Sequence, residues 1–110
     1  LVDRFKDFVK ITPEGPRVWS QGRKVSDKEL VGLQLVAQRI SSETRDGVSA
    51  SMTLASLQEA TSLNPKSLSS RLSEMAKASF VTRETVDEKA QFKISTIGVE
   101  WLSTILSKKT

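Results

Sequence analysis

Residues 53–81 read TLASLQEATSLNPKSLSSRLSEMAKASFV, and this stretch decides the fold. The pattern predicts a short helix, a tight turn, and a longer helix that ends in an apolar plug at Phe80 and Val81. Thr53 has the hydroxyl to cap the first helix, and Leu54, Leu57 and Ala60 give it one apolar stripe. Asn64 is suited to cap the second helix through its side-chain oxygen. Pro65 suits the first helical position, where no backbone N–H is needed. At about 100° per residue, Leu68, Leu72, Met75 and Ser79 fall on one side of the second helix, with Ala76 at its margin. Lys66, Ser70, Ser73 and Lys77 fall opposite, flanked by Ser69, while Ser67, Arg71 and Glu74 take the third flank. A solvated face is usually richer in Glu and long polar residues. Small hydroxyls bracketed by lysines suit close approach to a phosphate backbone and a groove floor. The plain alternative is a serine-rich face turned to water.

Outward from this stretch, composition narrows the field. With 110 residues the chain has the length of one domain. Apolar residues at 37% and charged residues at 27% fit a folded soluble chain rather than a disordered one. No apolar run approaches a membrane span and no signal peptide is visible. The first residue is Leu rather than Met, as expected of a processed end or of a piece of a longer chain. Cysteine, histidine and tyrosine are all absent. A disulfide framework, thiolate chemistry and imidazole acid–base chemistry are therefore excluded, and a structural zinc effectively so. A Ser–Lys or paired-carboxylate enzyme stays formally open, but the carboxylates are scattered and most lie in positions that read as helix surface, so no enzyme is expected and no cofactor is implied.

The net charge of +4 is unevenly spread. Residues 1–25 have a balance of +3, residues 26–62 of −2, residues 63–95 of +2, and the tail adds +1. Positive charge thus collects on the N-terminal arm and on the half of the chain around the second helix, as expected of a nucleic-acid face.

Taken in order, residues 1–25 predict a small hairpin arm, with a strand over Phe8–Thr12, a turn at Pro13-Glu14-Gly15-Pro16, and a return over Arg17-Val18-Trp19. So small a hairpin needs something to pack on, with Phe8 and Trp19 as anchors. Arg17, Arg23 and Lys24 are available for nucleic acid, although a structural role suits the arm better. Ser26-Asp27-Lys28-Glu29 forms a capping box. The helix it opens is expected to run to Thr44 or Arg45 and to stop at Asp46-Gly47, the glycine acting as a left-handed cap. Leu30, Leu33, Val36, Ala37 and Ile40, widened by Val31 and Leu35, make it apolar over more than half its circumference. Such a helix is buried on two sides, the extra side covered by the arm or by another subunit. Val48–Met52 predicts a short strand. After the helix pair, Phe80–Val86 predicts a strand, Asp87-Glu88-Lys89-Ala90 a turn, and Gln91–Ser95 the returning strand, with Phe92 and Ile94 on one face. The last helix is expected from Thr96, as its cap, to Leu106, with Ile97, Trp101, Ile105, Leu102 and Leu106 inward. Lys108 and Lys109 favour its C-terminal end.

This order predicts an α+β, mainly helical fold, a winged helix–turn–helix over residues 26–110 with a two-stranded wing and an N-terminal β-hairpin arm over residues 1–25. Residues 26–106 resemble the winged-helix domains of MarR-type and related small archaeal and bacterial transcription regulators. The likeness rests on Leu68-Ser69-Ser70-Arg71-Leu72-Ser73-Glu74-Met75, on Phe80-Val81, and on Phe92-Lys93-Ile94-Ser95-Thr96-Ile97-Gly98. In that family the first block is the recognition helix, the second starts the wing, and a T-x-x-G step precedes the last helix. Here the Gly comes at the second residue after Thr96. The resemblance implies a DNA-binding protein with helix 65–78 in the major groove and wing 80–95 along the phosphates of double-stranded DNA. The residues placed there are Lys66, Ser67, Ser69, Ser70, Arg71, Ser73 and Lys77 on the helix, and Arg83, Lys89 and Lys93 on the wing. It further implies a homodimer, joined through the first and last helices or the arm, in the cytoplasm with the nucleoid and apart from any membrane.

Three departures from the family pattern bear on mechanism. Ser79 stands where a Gly usually ends the recognition helix. Asp87 and Glu88 make the wing tip acidic. The helix centre also lacks an outward Arg, Asn or Gln for bidentate base reading. The acidic tip and the broadly apolar first helix equally suit a winged helix that binds protein within a larger complex.

Overall fold

The structure, a computed structural model, describes residues 5, 8–13, 15–18 and 25–108. A hairpin of β1 (Val9–Thr12) and β2 (Gly15–Val18) precedes the long helix α1 (Asp27–Thr44). There follow β3 (Met52–Thr53), α2 (Leu54–Thr61), α3 (Pro65–Lys77), β4 (Val81–Val86), β5 (Lys89–Ile94) and α4 (Thr96–Ser107). The arm is an antiparallel pair with Val9 opposite Val18 and Thr12 opposite Gly15, so Gly15 and Pro16 belong to the strand rather than to the turn. The expected anchor Trp19, and Arg23 and Lys24, lie outside the described residues.

α1 is the axis of the core. Ser26 Oγ accepts from the Glu29 N–H at 3.1 Å and Glu29 Oε1 accepts from the Ser26 N–H at 3.2 Å, completing the capping box. Val31, Leu33, Leu35, Val36, Ala37 and Ile40 are all buried. Their spread around the helix is explained within one chain. The arm strands pack on one side, where Phe5, Phe8 and Val9 are buried, while the other helices and β5 pack on the rest. The end of α1 departs from expectation. Arg45 caps it in an extended conformation, its N–H bonded to the Ser41 carbonyl, and the left-handed Gly47 (φ +79°) lies beyond, in the turn. The strand expected over Val48–Met52 shrinks to Met52–Thr53, the only residues there that pair with β5.

The helix pair follows its sequence signals closely. The Thr53 hydroxyl accepts from the Ser56 N–H at 3.1 Å, and Asn64 Oδ1 accepts from the Lys66 N–H at 2.8 Å, with Pro65 opening α3. Leu57 on α2 and Leu68, Leu72 and Met75 on α3 are buried, which fixes the second helix against the first and against α1. Ser79, expected on the buried side, is exposed, because α3 stops at Lys77 and Ser79 turns left-handed at φ +66°. Its N–H reaches the Ala76 carbonyl at 3.0 Å, and the Phe80 N–H reaches the Met75 carbonyl at 2.8 Å. These two bonds make a complete Schellman ending, with serine where glycine is the usual occupant.

The sheet has the order β3-β5-β4, all antiparallel. Its hairpin turns more tightly than expected. Val86 pairs with Lys89, so Asp87 and Glu88 alone make the turn, both with positive φ (52° and 66°), and Lys89 and Ala90 are strand residues. β4 starts at Val81, and Phe80 instead stacks on Trp101 with ring centroids 4.5 Å apart. The cap of α4 is Ser95, with Thr96 inside the helix. Ser95 Oγ accepts from the Gly98 N–H at 2.9 Å and shares its one proton between the Ser79 and Phe80 carbonyls, at 2.6 and 3.0 Å. One hydroxyl thereby joins the end of α3, the root of the wing and the start of α4. Gly98 is required beside it, since a Cβ there would overlap the Phe80 carbonyl oxygen and lie 2.8 Å from Ile94 Cγ1.

With Gly98 against Phe80, α4 also faces the core differently from expectation. Gly98, Val99, Leu102 and Leu106 face the core, Trp101 and Ile105 are half-buried, and Ile97 is 57% exposed. The whole is an α+β arrangement compatible with a winged helix–turn–helix, with a β-hairpin arm laid on its first helix. Among the described residues no helix is long and apolar enough to cross a membrane.

Candidate nucleic-acid interface

α3 presents its polar face to solvent as a block. Lys66, Ser69, Ser70, Ser73 and Lys77 are all exposed, while Ser67 and Arg71 are half-buried. With 13 residues the helix is about 20 Å long, a length over which a major groove can be followed. Lys66 and Lys77 form no ion pair among the described residues, so both charges are available to an incoming anion.

Arg71 is committed differently. Its Nη2 lies 2.9 Å from Glu74 Oε1, and Glu74 Oε2 lies 3.6 Å from Lys28 Nζ on α1. This chain of three charges pins the flank of α3 to the start of α1. Partly exposed pairs of this kind stabilise by about 0–1 kcal/mol each, so the effect is on orientation more than on stability. Glu74 is recognisable from sequence as a partner for Arg71 three residues earlier; Lys28 is not, because nothing local places α1 beside α3.

The three cations expected on the wing divide between its two sides. Strand register sets Arg83 opposite Phe92, which is buried, and Lys93 opposite Thr82. Residues directly opposite share a face and neighbours along a strand alternate. Arg83 therefore lies on the side of the wing that turns toward α3, and Lys89 and Lys93 lie on the other. On the α3 side, Arg83 joins Ser69, Ser73 and Lys77 around a groove of about 500 Å³. On the far side, Lys93 lines a smaller hollow of about 280 Å³ together with Arg39 of α1 and Thr96 of α4. Arg39, which sequence reasoning did not single out, also pairs with Glu43 at 3.5 Å.

The wing tip carries the acidic pair at its outermost point, and both side chains are exposed. Lys93 lies near the root of the wing, Arg83 in its middle and Lys89 beside the turn, next to the acidic pair. Glu84, on the same side as Lys93, is turned inward to the Ser51 hydroxyl at 2.9 Å.

Solved structures share this architecture. A structure of BpsR from Bordetella bronchiseptica, concerned with the regulation of its DNA binding by 6-hydroxynicotinic acid, superposes with a TM-score of 0.56 at 11% sequence identity. The match covers 76% of this chain and 54% of that one, so this chain spans about half the length of its structural neighbour. At that identity the likeness is one of fold. No protein-family model and no curated protein matches the chain.

Proposed function

We propose that this chain is a DNA-binding winged-helix protein that acts in transcription regulation or DNA organisation. It places α3 in the major groove of double-stranded DNA and lays the wing along the adjoining phosphates. The observation that carries this reading is the outward face of α3. Lys66 and Lys77 bracket three exposed serines, and the nearest carboxylate, Glu74, is held on the flank by Arg71 and Lys28. Small side chains let the helix backbone approach the groove floor, and the two lysines meet phosphates at either end. Arg83 extends the cationic line onto the wing. The structural neighbour, whose DNA binding is regulated, adds support at the level of fold.

The protein acts as a homodimer in this account. α1 is buried by its own arm, which leaves the outer row of α4, with Ile97 exposed beside half-buried Trp101 and Ile105, as the apolar surface for a second copy. Two copies present two α3 helices to successive turns of the major groove. The same exposed isoleucine and the acidic wing tip favour the second reading, a winged helix that binds another protein.

The test is the double substitution Lys66→Glu with Lys77→Glu. Both side chains are exposed and form no ion pair among the described residues, so the unfolding midpoint is expected to stay within a few degrees of the unmodified protein. Affinity for duplex DNA is expected to fall by at least tenfold as two phosphate contacts become repulsions. Unaltered affinity removes α3 from the interface and turns attention to a protein partner for α4.

A further inference from the structure

The groove between α3 and the wing has a chemistry that the phosphate contacts do not use. Its floor is apolar, made by Leu54 of α2, Leu72 of α3, and Ala90 and Phe92 of β5. Ala76 is exposed at its mouth. Lys77 and Arg83 stand on its rim and no carboxylate lines it, so its charge matches a polyanion. In the binding mode proposed above, on which this inference rests, the groove lies where the floor of the major groove meets the bounding phosphate strand. One apolar group projects from B-DNA at that place, the C5-methyl of thymine, which small apolar side chains such as alanine contact.

We propose that this groove receives thymine methyl groups and makes the protein prefer A·T-bearing sites. The polar side of α3 has serines and lysines in place of the Arg, Asn and Gln that read bases bidentately. Discrimination by hydrogen-bond pattern is correspondingly weak, and apolar contact through Ala76 and the floor behind it becomes the main source of sequence preference. Lys77 and Arg83 hold the phosphates on either side of the contacted base and fix its depth.

Two duplexes of one A·T-containing sequence, differing only in deoxyuridine for thymidine, separate this proposal from its alternatives. The thymine duplex is expected to bind more tightly by about fourfold for each methyl group removed from water. Ala76→Asn, which sets a polar amide over the floor from an exposed helical position, is expected to bring that ratio close to one. Equal affinity of the unmodified protein for both duplexes overturns the proposal and leaves the groove to a small apolar ligand. A ratio that survives Ala76→Asn overturns it too, placing the methyl effect in the stiffness of the DNA. Failure of either duplex to bind overturns the binding mode itself, a result distinct from equal binding.

Discussion

Replacing both acidic residues of the wing tip, through Asp87→Asn and Glu88→Gly, tests folding and function at once. Asp87 and Glu88 occupy a two-residue hairpin turn with φ of 52° and 66°, the type I′ form that favours an Asn-Gly dipeptide. A left-handed backbone costs a residue with a Cβ about 1–2 kcal/mol, less for Asp or Asn. Most of the strain therefore lies at Glu88, and the double substitution is expected to stabilise the fold by about 1 kcal/mol. For a domain of this size that corresponds to a rise of about 4–8 °C in the unfolding midpoint, measured by circular dichroism. In the proposed binding mode, the same change removes two carboxylates from the end of the wing that would lie along a phosphate strand. Each unit charge near a phosphate in water is worth about 1 kcal/mol at contact, and salt screens it beyond about 10 Å at 0.1 M. Fluorescence anisotropy with labelled duplex is expected to show at least a fivefold gain in affinity at low salt, shrinking as salt rises. A lower midpoint refutes the turn geometry. A higher midpoint with unchanged affinity at every salt concentration refutes the placement of the wing along DNA.

Two further substitutions examine the junction that holds α3 and the wing together. Ser79→Gly relieves the left-handed serine of the Schellman ending and is expected to stabilise by up to about 1 kcal/mol in denaturant unfolding. Gly98→Ala drives a Cβ into the Phe80 backbone, where nothing flexible gives way. It is expected to destabilise by about 3 kcal/mol or more, read as a fallen midpoint or as loss of the folded protein.

How far the sequence announces this fold depends on whether a feature is local. The caps at Ser26, Thr53 and Asn64 are legible because each requires only a short polar side chain at a helix start, and the structure places all three there. The start of α4 is not. Ser95 and Thr96 are both able to cap, and the choice falls to Ser95 because its hydroxyl also meets the Ser79 and Phe80 carbonyls, contacts made across the fold. The face of α4 departs from expectation for a related reason. Ile97-Trp101-Ile105 and Val99-Leu102-Leu106 are both apolar rows, and the close approaches of Gly98 to Phe80 and of Gly32 to Leu102 go with the second row turning inward.

The candidate site divides in the same way. Exposure of Lys66, Ser69, Ser70, Ser73 and Lys77 follows from helical periodicity alone, and the structure has all five exposed. The separation of Arg83 from Lys93 depends on the register of β4 against β5, and the commitment of Arg71 depends on Lys28 arriving from α1. The apolar groove combines residues from α2, α3 and β5. Its only local hint is Ala76 at the margin of the apolar stripe of α3.

The measurement that tests the central claim most directly is the affinity of the protein for a labelled random-sequence duplex at about 50 and 200 mM salt. With Lys66, Lys77 and Arg83 as phosphate contacts, a fourfold rise in salt is expected to weaken binding about 40-fold for one copy and about 10³-fold for a dimer that uses both sets. Binding that falls by either factor establishes phosphate contacts in the number that the α3–wing face supplies and distinguishes a single copy from a pair. Absence of binding at the lower salt, or an affinity indifferent to salt, contradicts the account.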